Sequence, residues 1–323
     1  MILEYLKEGQ EGLEAVVDKN DVYKTLISDG EQFINNVIQK KYLLDGENDY
    51  DDIINHRFFK ELEKSMESSK LKNMKEILLS KRVITAGSIS FGLGNDTVKC
   101  SLSNCYYIPI KEDSIEGIYE CCGKIARTFS YRGGCGIDIT ILRPKESKVR
   151  NAASLSTGSV SFMPTFSDTS HTIGQSGRRG ALIITLDIRH PDILDFIWCK
   201  SKPEQVFGKD VLTGKIPDVS NANISIKLTN DFISAVEKDK QWSFVFPDYH
   251  SDEYSEWNGN YDDWLEKGYK LKKYNTINAR DLLKQIAEAA WISGDPGISY
   301  WDNVIKWTPS SFDPLLKPRG FNP

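Results

Sequence analysis

Histidine is scarce in this 323-residue chain, with four residues, and its six cysteines include no CxxC pair. Both shortages argue against a structural zinc site, whose ligands come in closely spaced sets. No apolar run approaches the roughly 18–20 residues that span a bilayer. The opening MILEYLKEGQEGLEAVV has neither a basic start nor an unbroken apolar core, so it does not read as a signal peptide. A cytoplasmic setting with no membrane partner is expected, and in that reducing compartment a disulfide scaffold is not. Positive charge is not in excess either. The 41 Lys and Arg stand against 46 Asp and Glu for a net −5, which excludes a polybasic nucleic-acid binder. Small anionic ligands such as nucleotides need only a few local donors.

The composition present is that of an ordinary globular protein: 27% charged and 40% hydrophobic, with a mean hydropathy of −0.41. Disordered and fibrous classes are excluded, and the length suits two domains or one large α/β body with a helical appendage. Residues 1–82 read as a helical domain, because Phe59, Leu62, Met66, Met74, Ile77 and Leu78 recur at helical spacing. Residues 83–323 change character. Short β-branched runs (NCYYIPI, GIDITIL, ALIITLDI, NISIKL, GISYW) alternate with helical patterns, which indicates parallel βαβ construction and an α/β fold class. In DSIEGIYECCGKIARTF, Ile115, Ile118, Cys122, Ile125 and Phe129 form one apolar stripe, and Asp113-x-x-Glu116 reads as a capping box. In RHPDILDFIW, Pro191 is preset for a first helical turn and Asp192 suits a helix N-terminus. The polar, Gly/Pro-marked stretch KSKPEQVFGKDVLTGKIPDVSN reads as a functional loop.

Several residues carry two readings. Gly133, Gly134 and Gly136 in RGGCGIDI form either a tight turn or a backbone cradle for a ligand, and the full dinucleotide fingerprint is missing. Asp113 either caps the following helix or accepts from a ribose hydroxyl. Arg143 is either a solvated strand end or a bidentate phosphate donor, and Arg178 and Arg179 have the same ambiguity. Cys121 and Cys122, about 100° apart on a helix, read as packing residues. Cys105 stands apart from the other cysteines because it opens an expected strand, where α/β enzymes place functional groups.

Seven segments in order (SNCYYIPIKEDSIEGI, YRGGCGIDITILRP, NAASLSTGSVSFM, GQSGRRGALIITLDIRHPDILDFI, SNANISIKLTNDF, GDPGISYWD and GFNP) resemble the large, catalytic subunit of ribonucleotide reductase. The resemblance runs from about residue 82 to the end. It implies an N-terminal helical domain followed by the first half of a ten-stranded α/β barrel, cut at its finger loop. The implied reaction replaces the 2′-OH of a ribonucleoside di- or triphosphate by hydrogen through a thiyl radical. By resemblance Cys105 is one of the reducing thiol pair and Asn322 bonds the substrate hydroxyls. Ser88, Asn104, Gly134 and Pro323 join them around the substrate. Asp113, Ser114, Ile115 and Arg143 match an allosteric site for a deoxynucleoside triphosphate or ATP. The resemblance implies that the loop ending KIPDVSN relays effector identity to the substrate base.

The sequence departs from the family pattern at its end. Members read NPCGE, with the radical cysteine after the proline, whereas this chain stops at Asn322-Pro323. The expectation is a part of a subunit, inactive alone and completed by a C-terminal half, as an intein or a split gene would give. The NP is more like the adenosylcobalamin-dependent class than the class with a separate radical-generating subunit. A thioredoxin-like reductant and a second copy in a homodimer are the further partners implied. Half a barrel is expected to expose an apolar inner face and an unpaired strand edge. Two other classes stay open: a non-catalytic nucleotide-binding relative, and an NAD(P)-dependent α/β oxidoreductase using RGGCGID as its phosphate loop.

Overall fold

The computed structural model describes residues 30, 32–149, 151–173, 180–202, 219–309 and 320. The chain divides into two compact units, Met1–Leu102 and Ser103–Pro323. This division lies later than the expected boundary at residue 82. The short helix Gly87–Gly92 stays with the first unit because Ile89 and Leu93 pack against that unit's own core.

Every described element of the first unit is helical: residues 32–41, Tyr50–Asp52, a π-helical stretch Ile53–Phe58, Phe59–Leu62, Ser68–Leu79 and Gly87–Gly92. Ile53, Ile54, Phe58, Phe59, Leu71 and Leu78 form its buried core, with Leu62, Met66 and Met74 packed against it. Ile77, placed on the stripe by its spacing, is exposed instead. Arg57 is buried here with its donors satisfied, by Glu47 Oε1 at 2.6 Å, the Phe91 carbonyl at 2.7 Å and the Tyr42 carbonyl at 2.9 Å. A buried cation needs such partners to be tolerated.

The second unit is built on a five-stranded sheet. In chain order its elements are β1 (Cys105–Tyr107), α1 (Ile115–Ser130), β2 (Gly134–Asp138), α2 (Met163–Thr172), β3 (Leu182–Asp187), α3 (Ile193–Trp198), β4 (Asn223–Leu228) and α4 (Asn230–Glu237). Then follow β5 (Gln241–Pro247), α5 (Tyr261–Glu266), β6 (Leu271–Asn278), α6 (Ala279–Ser293), β7 (Gly297–Tyr300) and α7 (Trp301–Trp307). The sheet order is β1-β2-β3-β4-β7 and every pairing is parallel; β5 and β6 form a separate antiparallel ribbon. All five expected strands are present; β4 matches its run NISIKL in full and the other four are shorter than theirs.

A strand order that advances in one direction has a consequence for the two faces. Right-handed crossovers then place every connecting helix on the same side of the sheet. That side carries Cys135, Ile137, Leu182, Ile184, Leu186, Ile224 and Ile226, buried with Ile125, Phe129, Phe166, Phe196 and Ile286 from the helices. Because side chains alternate along a strand, the register assigns Cys105, Tyr107, Gly134, Gly136, Asp138, Ile183, Thr185, Asp187, Ser225 and Lys227 to the other side. The expectation of an apolar inner face is therefore corrected. The face turned away from the helices is mostly polar or without side chains, with Ile183 as its aliphatic exception, because most of the sheet's apolar demand is met on the helical side.

Two local expectations also change. The N-cap of α1 is Ser114, whose Oγ accepts from the Gly117 N–H at 2.9 Å; Asp113 is not the cap, and Glu116 closes no capping box. Gly117 is required there, since a Cβ would sit 2.5 Å from the Glu112 carbonyl oxygen. On the stripe of α1, Ile118, Cys122, Ile125 and Phe129 are buried as expected, but Ile115 in the first turn is 48% exposed. Helix α3 starts at Ile193, so Pro191 precedes it. The Asp192 carboxylate makes no cap bond and instead accepts from the Lys145 N–H at 3.0 Å, the Ser159 N–H at 2.8 Å and the Ser159 hydroxyl at 2.9 Å.

Candidate functional site

Cys105 opens β1 directly opposite Gly134 on β2, both on the polar face. Gly134 and Gly136 carry no side chain, so β2 places no side chain beside Cys105 and Tyr107 on this face, and Gly320 packs against the Tyr107 ring. The Gly134 N–H is spent on the Asn104 carbonyl at 2.7 Å, which leaves proximity, not a donor, as its contribution to a ligand. Gly133 belongs to the turn reading: its N–H closes α1 on the Thr128 carbonyl at 3.0 Å, and a Cβ would sit 2.7 Å from Thr128 Cγ2. The other cysteines of this unit lie elsewhere. Cys135 points to the helical side by register, Cys121 and Cys122 sit in α1, and Cys199 follows α3; all four are buried. Burial pushes the thiols of Cys121, Cys135 and Cys199 up to about 12 and that of Cys122 to about 11. Packing is their role.

The far end of the same face is closed by paired charges. Buried Lys227 donates to Asp138, and its ammonium lies 4.8 Å from the Trp301 ring centre. Asp138 Oδ1 accepts from the Thr140 N–H at 2.9 Å and the Thr140 hydroxyl at 2.5 Å. Arg189 forks onto Asp187 with two 2.8 Å bonds and reaches Asp262 at 2.9 Å. Burial raises the Asp187 carboxyl, but the adjacent Arg189 and its hydrogen bonds outweigh this and hold it below the ordinary value. A cavity of about 120 Å³ remains among these groups, lined by the cations Lys111, Arg189 and Lys227 and the carboxylates Asp138 and Asp187. Sequence reasoning passed over these residues, although a single charge in each of the apolar runs GIDITIL, ALIITLDI and NISIKL was a usable signal.

A larger open groove, of about 1120 Å³, lies at the N-terminal end of α1. Asp113, Ser114, Ile115 and Arg143, expected together from the sequence, all line it. Asp113 Oδ1 accepts from the Arg143 backbone N–H at 3.1 Å, and Oδ2 accepts from Arg143 Nε at 2.5 Å and from the Tyr254 hydroxyl at 2.6 Å. Arg143 also donates to the carbonyls of Asp113 at 3.3 Å and Lys148 at 3.4 Å. It is thus held by a carboxylate and is no freely solvated strand end. Its guanidinium lies 5.8 Å from the Tyr249 ring and 6.0 Å from the Tyr254 ring. The groove is polar around Arg143, Lys148 and His250 and apolar where Ile115, Leu155 and Phe162 face it. Ser114 keeps its hydroxyl on the helix cap and on Glu112 Oε1 at 2.7 Å. Tyr249 and Tyr254, from the loop after β5, were not foreseen; nothing in the sequence pairs them with residues more than a hundred positions earlier.

Among the other expected site residues, Asn104 is half-buried beside Cys105, and Ser88 is buried in the first unit on the helix Gly87–Gly92. Asn322, Pro323, Arg178, Arg179 and most of the polar loop ending KIPDVSN lie outside the described residues. Among the described residues no group of three or more His, Cys, Asp or Glu gathers as a metal site, and no helix is long and apolar enough to cross a membrane.

With this geometry in place, the family model of the ribonucleotide reductase barrel domain matches residues 100–314. The chain belongs to the ribonucleotide reductase family. It is 32% identical over 209 residues to a vitamin B12-dependent ribonucleoside-diphosphate reductase of Thermoplasma acidophilum, covering 64% of this chain and 23% of that protein. A vitamin B12-dependent ribonucleoside-diphosphate reductase of Mycobacterium tuberculosis is 27% identical over 209 residues, 64% of this chain and 25% of its own length. The ribonucleoside-diphosphate reductase large chain of Cryptosporidium parvum is 27% identical over 234 residues, 70% of this chain and 27% of its own. The chain thus spans about a quarter of the length of these curated reductases. Within the family match lie β1, β2, the groove and the paired charges, whereas Ser88 precedes it and Asn322 follows it.

Proposed function

We propose that this chain is the part of a ribonucleotide reductase catalytic subunit that supplies one redox thiol and the effector groove. Its five parallel strands are read as the first half of a ten-stranded barrel, with the polar face turned to a ribonucleoside di- or triphosphate. The observation that carries this reading is the position of Cys105. By register it is the one cysteine of the second unit on the polar face, opposite a glycine. Cys105 and a second thiol outside this chain together lose two electrons and two protons as they become a disulfide. The ribose 2′-OH leaves as water while hydrogen takes its place, so the exchange balances. Asn104 and Gly134 flank the thiol, and Asn322 is read as the residue that bonds the substrate hydroxyls. A thioredoxin-like reductant returns the disulfide to thiols.

The groove is read as the site of a deoxynucleoside triphosphate or ATP effector. Ile115, Leu155 and Phe162 offer apolar area to the base, Asp113 accepts from the sugar, and Arg143 with Lys148 meets the phosphates. The vitamin B12-dependent names of the relatives suggest adenosylcobalamin, the source of the initiating radical in that class. The described residues do not fit it: neither face nor groove assembles a broad apolar platform with a cobalt ligand, and no step here is routed through it. Completion by a C-terminal half and pairing with a second copy belong to the same reading.

Binding of dATP by calorimetry tests the groove. Losing a charged hydrogen-bond partner costs about 1.5–3 kcal/mol, so Arg143→Ala is expected to weaken binding roughly ten- to hundredfold. Unchanged affinity in a folded Arg143→Ala chain returns Arg143 to a purely structural role.

A further inference from the structure

Asp113 is more fully occupied than a free sugar-binding carboxylate. An ionised carboxyl offers about two lone-pair sites on each oxygen. Oδ2 uses both, on Arg143 Nε at 2.5 Å and the Tyr254 hydroxyl at 2.6 Å. Oδ1 uses one, on the Arg143 backbone N–H at 3.1 Å, and among the described residues nothing else donates to it. One acceptor site on one oxygen is therefore left for a ligand in the groove.

From this we infer that Tyr254 is a specificity-determining residue: by saturating Oδ2 it lets Asp113 receive a single sugar hydroxyl and not a cis-diol. A carboxylate with both oxygens free takes the 2′- and 3′-hydroxyls of a ribonucleotide together, one on each oxygen. With Oδ2 closed, the second hydroxyl of a ribonucleotide gains no partner on Asp113, and a deoxynucleotide loses nothing by lacking it. Tyr254 is well placed to hold this state. Its ring is anchored against Phe246, at a centroid distance of 6.3 Å, and it sits in the turn Asp252–Glu256 on the groove wall. Burial and the Asp113 charge push its phenol well above the ordinary value, so it stays protonated and remains a donor at any working pH. Tyr254→Phe keeps the ring and removes only the hydroxyl. This inference rests on the reading of the groove as a nucleotide site.

The test compares ATP, dATP and 2′,3′-dideoxyATP by calorimetry on the full 323-residue chain and on its Tyr254→Phe variant, with thermal midpoints as a control for folding. In the unaltered chain, dATP is expected to bind more tightly than the dideoxy compound, and ATP to match dATP within about threefold, because the second hydroxyl finds no acceptor. In Tyr254→Phe, Oδ2 is open, and the preference for ATP over dATP is expected to rise roughly tenfold or more, the worth of a hydrogen bond to a charged group. A merely structural tyrosine lowers both affinities together and leaves the ratio unmoved. An unmoved ratio in a folded variant overturns the inference, as does a gain from both hydroxyls in the unaltered chain. If dATP does not bind, or Arg143→Ala leaves its binding unchanged, the groove reading fails and the inference with it. If dATP binds through Arg143 but the ratio is insensitive to Tyr254, the inference alone fails.

Discussion

Cys105 and Gly134 face each other across β1 and β2, on the side of the sheet opposite the connecting helices. Two positions further along the same strands, Tyr107 pairs with Gly136. A thiol bordered by residues without side chains is open to a bound molecule in a way that a thiol packed among isoleucines is not. This separates Cys105 from Cys135, one residue beyond Gly134 but on the opposite side of β2.

That separation predicts an order of thiol reactivity. Thiolate is the reactive form, and burial pushes Cys121, Cys135 and Cys199 to about 12 and Cys122 to about 11. At pH 8 under native conditions, iodoacetamide followed by peptide mass spectrometry is expected to label Cys105 while these four stay unmodified. In denaturant all should label alike. Native labelling of Cys135 at the rate of Cys105 contradicts the assignment of faces.

The paired charges at the far end of the sheet make a stability prediction. Lys227→Met leaves Asp138 buried with only Thr140 as partner, and breaking a buried pair in this way costs about 3–5 kcal/mol. Replacing both residues, as Lys227→Met with Asp138→Leu, is expected to cost much less, since no charge is left unpaired. Urea unfolding of the three proteins distinguishes the outcomes. Equal losses in the single and double variants contradict the pairing.

Asp187 predicts how the fold meets acid. Its carboxyl is held below the ordinary 3.8 because Arg189 outweighs the effect of burial. A depressed carboxyl contributes stability that is present above its unfolded value and lost as pH falls through the folded one. The loss is thus expected below about pH 4, with no contribution to pH dependence between 5 and 7. Asp187→Asn should lower stability at pH 7 and flatten the acid limb of a thermal-midpoint profile. A profile with the same acid limb in both proteins contradicts the pairing of Asp187 with Arg189.

Much of this was legible in the sequence for physical reasons. The apolar runs that became β1, β2, β3, β4 and β7 are separated by helical stripes, and that alternation is enough to indicate a parallel sheet. Ile118, Ile125 and Phe129 fell on the buried side of α1 because a 3.6-residue period leaves little choice. Asp113 misled as a helix cap, since Asp and Ser are equally good caps by type and only the backbone shows that Ser114 holds the position. The partners of Asp113 were invisible for a different reason. Tyr254 comes from 141 positions away, and no local pattern encodes a contact closed by the tertiary fold. The apolar inner face was wrongly expected because strand composition alone does not say that alternate residues, Gly134, Gly136, Asp138 and Lys227, all turn to one side. Register says so.

The most direct test of the account is turnover with and without the Cys105 thiol. The chain, or its Cys105→Ser variant, is combined with a polypeptide carrying the remainder of the subunit from the Cys-Gly-Glu segment onward. Deoxynucleotide formed per site from CDP and CTP is then counted, with adenosylcobalamin and dithiothreitol present. The account predicts many turnovers for the unaltered chain, no sustained turnover for Cys105→Ser, and near-normal turnover for Cys122→Ser, which loses packing only. Sustained deoxynucleotide production by Cys105→Ser would contradict it.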